Sequence, residues 1–174
     1  MLDESNSRDF ERIPTGRYCG TIIDIVDLGK KTNIFGVEKA RVRIVWVLNA
    51  NDSKGVPFRA IREVNALVTA RPRKSNLCEI CERVFGVAPS LPFEIETLMG
   101  HSNELMIKLE KDPRTGKEYS NVMDIRPLPA KVVPPQPPRG FMRAKDRPAK
   151  TKALTGGPDE NSDGAEAALL VRPC

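Results

Sequence analysis

The chain has 174 residues, 40% of them apolar, and its 28 basic against 23 acidic side chains give a formal charge of +5. This is the size of one domain with extensions and enough apolar material for one modest core. The mixed charge excludes a polycation and hints only at an anionic partner. The opening MLDESNSRDFER lacks the basic start and apolar core of a signal peptide, and no run approaches the roughly 18 apolar residues of a membrane span, so a cytoplasmic, non-membrane protein is expected.

Proline divides the chain. Pro127, Pro129, Pro134, Pro135, Pro137, Pro138, Pro148, Pro158 and Pro173 all lie beyond Arg126. The expected organisation is a flexible start over 1–12, a folded domain over 13–128 and a disordered, Pro-rich basic tail over 129–174. Lys131, Arg139, Arg143, Lys145, Arg147, Lys150 and Lys152 make that tail basic before PDENSDGAE turns it acidic ahead of ALLV.

Within the domain, Arg17–Leu28 is rich in β-branched residues and is predicted to be a strand ended by Gly29. The glycine-containing stretch that follows reads as a loop carrying Lys30, Lys31, Phe35 and Lys39. Lys39–Ala50 alternates: Ala40, Val42, Ile44, Trp46 and Leu48 face a core, while Lys39, Arg41 and Arg43 face away. Phe58–Thr69 gives a third strand, with Ile61 and Leu67 on one parity and Arg62 on the other, so that two neighbouring strands share a partly cationic exposed face.

Ser75 is placed to cap a helix that carries Leu77, Ile80, Cys81, Val84 and Phe85 at helical spacing and stops at Gly86. A loop with one helical turn leads to Gly100. Glu104–Lys111 alternates with Leu105, Ile107 and Leu109 inward, DPRTG is a turn, and KEYSNVMDIRPL completes a fifth strand. The order β-β-β-α-β-β within about 110 residues matches a five-stranded OB-fold barrel, all-β but for one helix. Another small barrel or an α+β sheet is the alternative, because periodicity gives elements and not their pairing.

Catalytic groups are scarce. One histidine, His101, follows Gly100 at a strand entry, and no Walker loop, G-x-S-x-G or H-E-x-x-H occurs. Cys78 and Cys81 form C-x-x-C, but a zinc site needs four ligands and only Cys19, Cys174 and His101 remain, while i, i+3 cysteines also suit a buried helix face. The sequence points to no enzyme, no metal and no cofactor.

Basic residues fall where an OB-fold binds, across strands two and three and between the loops joining strands one to two and four to five. The first loop supplies Lys30, Lys31, Phe35 and Lys39, the second Lys111, Arg114 and Lys117; Arg41 and Arg43 come from strand two, and Arg59 or Arg62 from strand three. Phe35, Phe58 and Tyr119 are candidates to stack on bases, and Trp46 has core parity. The plain alternative is an ordinary solvated face, and Arg71, Arg73 and Lys74 lie off the groove. Single-stranded DNA, or RNA in its place, is the expected partner, with replication or recombination proteins beside it.

The series TGRYCGTIIDIVDLG, RVRIVWVL, KSNLCEICERVFG, FEIETLMG and GKEYSNVMDIRPLP resembles small proteins of phages and mobile elements that are similar to single-stranded-DNA-binding proteins. The resemblance runs from about Ile13 to Pro129, with Gly29, Ser75-Asn76-Leu77, Leu98-Met99-Gly100 and Gly116-Lys117 before Tyr119 and Asn121 as its distinctive points. It implies an OB-fold and a role in DNA replication or recombination, and fixes no binding residue. The ending ALLVRPC departs from the acidic, aromatic-tipped tail usual in bacterial single-stranded-DNA-binding proteins; Asp159, Glu160, Asp163 and Glu166 ahead of Leu169 and Leu170 are its nearest counterpart.

Overall fold

A computed structural model describes residues 11–32, 35–69 and 72–148. Its strands are β1 (Gly16–Thr32), β2 (Glu38–Asn51), β3 (Pro57–Asn65), β4 (Ser102–Lys111) and β5 (Glu118–Pro127), and α1 (Asn76–Phe85) stands between β3 and β4. All pairings are antiparallel, in one open sheet of order β3-β2-β1-β4-β5. Short 3₁₀ turns occupy Ile95–Leu98 and Ala144–Asp146.

β1 is the shared strand. Its first part pairs with β4, from Gly16 opposite Ile107 to Thr21 opposite Ser102, and the part from Gly20 onward pairs with β2. Ile22 stands opposite Trp46 but Asp24 opposite Val45, so Ile23 is an extra residue and β1 bulges. The bulge re-phases the strand: Ile22 and Ile25 both join the main core, while Ile23 packs with Val45 and Val47 on the other face. The connection before β4 holds the bulge in place, since Gly100 N donates to Ile22 O and Ile22 N donates to His101 O, each at 2.9 Å.

Gly29 does not end β1. A second register shift lies between Asp27 and Lys30, Gly29 takes φ +65° there, and its N–H donates to Asp27 Oδ1 at 2.7 Å. Glycine adopts that φ without steric cost, so the strand absorbs the irregularity and runs on to Thr32.

The helix follows its sequence signals. Ser75 Oγ accepts from Cys78 N, Gly86 is left-handed at the C-cap, and Leu77, Cys78, Ile80 and Cys81 are buried. The helix packs against β3 and β5, the two edges of the sheet, whose Cα atoms come within 8 Å of each other with no ladder between them among the described pairings. The main core lies inside this curve, with Trp46, Ile44, Leu98, Leu105 and Ile107 fully enclosed.

Strand three reverses its expected parity. Phe58, Ala60 and Val64 are buried, whereas Ile61 is 46% exposed, so the even-numbered residues face inward and Arg62 goes with them. The strand stops at Asn65, which leaves Leu67 outside it as an exposed loop residue. The chain past the expected boundary at 128 is also placed as far as 148, and Phe141 packs on Ile23, Val45 and Val47. The acidic stretch and Leu169–Val171 lie outside the described residues.

Gly20 marks the place where β1 is flanked on both sides. A Cβ there would lie 3.0 Å from Leu105 Cδ1 and Leu48 Cδ2 and 3.3 Å from Trp46 Cβ. Gly20→Ala is expected to lower stability by about 1–3 kcal/mol through overpacking, read as a lower urea midpoint at unchanged slope. An unchanged midpoint would mean that both leucines relax freely.

Candidate nucleic-acid interface

The outer face of β2 carries Arg41 and Arg43, opposite Asn65 and Glu63 of β3. Arg43 grips the Glu63 carboxylate through Nε at 3.0 Å and Nη2 at 2.6 Å, Lys31 Nζ lies 3.8 Å from it, and Arg41 Nη2 donates to the Glu63 carbonyl at 3.3 Å. Three cations from two strands therefore converge on Glu63, two on its carboxylate and one on its backbone carbonyl. The Arg43 hydrogen bonds hold the Glu63 carboxyl below its usual range, against the opposing effect of burial and with help from the charges of Arg43, Lys31 and Arg41.

Glu63 was not foreseen as part of this group. The signal was available, because a carboxylate opposite an arginine in a two-strand register is a stabilising cross-strand pair, but finding it required the correct parity of β3. The same parity changes two other assignments. Phe58 is only 9% exposed and belongs to the core, so its ring offers no face to a base. Arg62 turns toward the helix side, where burial and the nearby Arg83 lower its pKa while Glu79 and Asp124 act against them. Arg59 is the strand-three arginine on the outer face, exposed beside the same surface.

Around this centre the loop residues form two groups at opposite ends of β1. Lys30, Lys31 and Lys39 are exposed where β1 and β2 meet, with Phe35 81% exposed in the hairpin. Lys111, Arg114, Lys117 and the 45% exposed Tyr119 belong to the β4–β5 hairpin, which lies by the start of β1 through Leu109 N donating to Thr15 Oγ1. Asp112 shapes that turn by accepting from Arg114 N at 2.8 Å.

Elsewhere several cations are matched to acids. Arg83 and Arg126 both bind Asp124, Arg17 reaches Glu104, and Lys74 reaches Glu82. His101 is exposed, with the Phe85 ring edge-on at 4.9 Å. Burial, reinforced by Cys78, pushes the Cys81 thiol up to about 12, so it stays protonated and unreactive at neutral pH. No group of three or more His, Cys, Asp or Glu suited to a metal occurs among the described residues, and no helix among them is long and apolar enough to cross a membrane.

Glu63 sets how much positive charge this face offers. Glu63→Gln is expected to raise affinity for a single-stranded oligonucleotide about 2–5-fold at low salt and to steepen its salt dependence, because Arg43 becomes available to a phosphate. The pairing of wild-type Glu63 stabilises the fold fully above its ordinary carboxylate range and is lost as pH falls through its depressed folded value, so in that acid window binding should strengthen while stability falls. An affinity unmoved by both the substitution and acid would remove Arg43 from the interface. No family model matches the chain, and no curated protein matches it.

Proposed function

We propose that this protein binds single-stranded DNA without strong sequence preference, through phosphate contacts to the outer face of β2 and β3 and stacking on the exposed rings of the flanking hairpins. The observation that carries this reading is the convergence of Lys31, Arg41 and Arg43 on one sheet face, where Arg43 and Lys31 share the Glu63 carboxylate and Arg41 binds the Glu63 backbone carbonyl. Phe35 and Tyr119 supply exposed aromatic surface, each worth about 1–3 kcal/mol when a base stacks on it. The reading is one of binding, with no catalytic role.

The strand order supports an OB-type architecture as part of this proposal. An OB barrel is a five-stranded, partly open Greek-key barrel that binds on strands two and three between the first and fourth hairpins. Here β3 and β5 are the two free edges and approach each other beside α1, so that joining them would close the ring. The wider setting, replication or recombination in a phage or mobile element, comes from the resemblance of the sequence alone.

Fluorescence anisotropy with a labelled single-stranded oligonucleotide tests the proposal. Affinity should fall steeply with salt, and replacing Arg41 and Arg43 together with alanine should weaken binding and flatten the log–log salt slope by about 1.4, two single-strand phosphate contacts. Circular dichroism should stay native. Absence of binding at low salt would reject the proposal and favour an OB-type adaptor that uses the same face for protein.

A further inference from the structure

Thr21, Ile23, Asp24, Val45 and Val47 are all at most 8% exposed, although none of them is in the main core. What covers this outer part of the sheet is the chain after β5. Phe141 packs on Ile23, Val45 and Val47, and the Arg59 guanidinium carbon sits 5.2 Å from the centre of its ring. Two residues on, Arg143 lies 3.5 Å from Asp24 Oδ1 through Nε and 2.8 Å from Glu96 Oε2 through Nη2. Ala144 N donates to Asp24 Oδ2 at 2.8 Å, and Lys145 Nζ lies 3.4 Å from Glu96 Oε1.

The segment changes the sign of the surface that it covers. Bare, the patch would present Asp24 and Glu96 against Arg59, a net negative charge that repels phosphate. Covered, both acids are paired, and Arg139, Lys145 and Arg147 are exposed on the outside with Asp146 as the acid among them. Val47 lies four residues along β2 from Arg43, about 13 Å at the rise of a strand, so the covered patch continues the strip begun by Lys31, Arg41 and Arg43.

We infer that the docked segment 138–147 is a fixed cationic part of the nucleic-acid interface, and that a bound strand passes over it rather than displacing it. This rests on the single-strand-binding reading above. Displacement is disfavoured because it would uncover two carboxylates and an apolar floor beneath a polyanion, whereas an intact cover offers phosphates the exposed Arg139 and Arg147, with Lys145 shared with Glu96.

Phe141→Ala tests this in the full chain, because it removes the ring that seats the segment and leaves every charge in place. Brief trypsin treatment read by mass spectrometry should show faster cleavage after Arg143 and Lys145 than in the wild type. Oligonucleotide affinity at low salt should fall about 3–10-fold, the loss of one to two phosphate contacts, and Phe141→Tyr should restore both readouts. Equal or tighter binding by Phe141→Ala with its segment released would overturn the inference, since a loose basic arm would then serve as well or the segment would be a plug. Undiminished protection in Phe141→Ala would overturn it too, since the ring would not be the anchor. A wild-type protein that binds no oligonucleotide instead rejects the parent reading, a different outcome from an affinity that the substitution fails to change.

Discussion

The structure turns on one extra residue in β1. With Ile23 inserted opposite the Trp46–Val45 step, Ile22 and Ile25 both reach the main core, and Asp24 is delivered to the outer face. Without it, strict alternation over 22–25 would send one of the two isoleucines outward. Among the described strands β1 is the central one, so its bend is inherited by β2 and β3 on one flank and by β4 and β5 on the other. A bulge sharpens twist and bends the strand, and this one lies where the two ladders change over.

Charge on this molecule does little for the fold. The pairs of Arg17 with Glu104 and Lys74 with Glu82 involve half-exposed or more exposed cations, and solvent screens most of their attraction. Stability rests on the enclosed apolar side chains of β1, β2, β4 and α1. On the outer face of β2 and β3 Arg43 and Lys31 share the Glu63 carboxylate, as Arg83 and Arg126 share Asp124, but a third cation, Arg41, stands beside them on the Glu63 carbonyl.

How far the sequence could be read depended on how local each signal was. Ser75 and Gly86 delimit α1 because capping is decided within a few residues, and the alternation of Val42, Ile44, Trp46 and Leu48 gives the inner face of β2 directly. In β3 the same method misled. An arginine stands among Phe58, Ala60 and Val64 on the inner parity, and an isoleucine stands between Arg59 and Glu63 on the outer one. Arg62 is tolerated inward because β3 is an edge strand beside α1 and β5, where Glu79 and Asp124 are near. Gly29 reads as a stop until pairing shows it within a bulge. The docking of Phe141 and Arg143 was not legible, since it matches a single ring and a single guanidinium in a Pro-rich run to an apolar floor and two acids over 40 residues distant in sequence.

The manner in which the segment after Pro138 is held has a consequence for the energy landscape. Phe141, Arg143 and Lys145 tie it down through their side chains and Ala144 through its N–H to Asp24, and among the described residues its backbone joins no ladder of the sheet. Elements attached in this way open subglobally, at a free-energy cost below that of global unfolding. The Ile22 amide would remain protected during such an opening, since its partner, the His101 carbonyl, belongs to the connection before β4 and not to the segment. The molecule would therefore hold two levels of protection against exchange, one for the sheet with its helix and a shallower one for the layer laid over it.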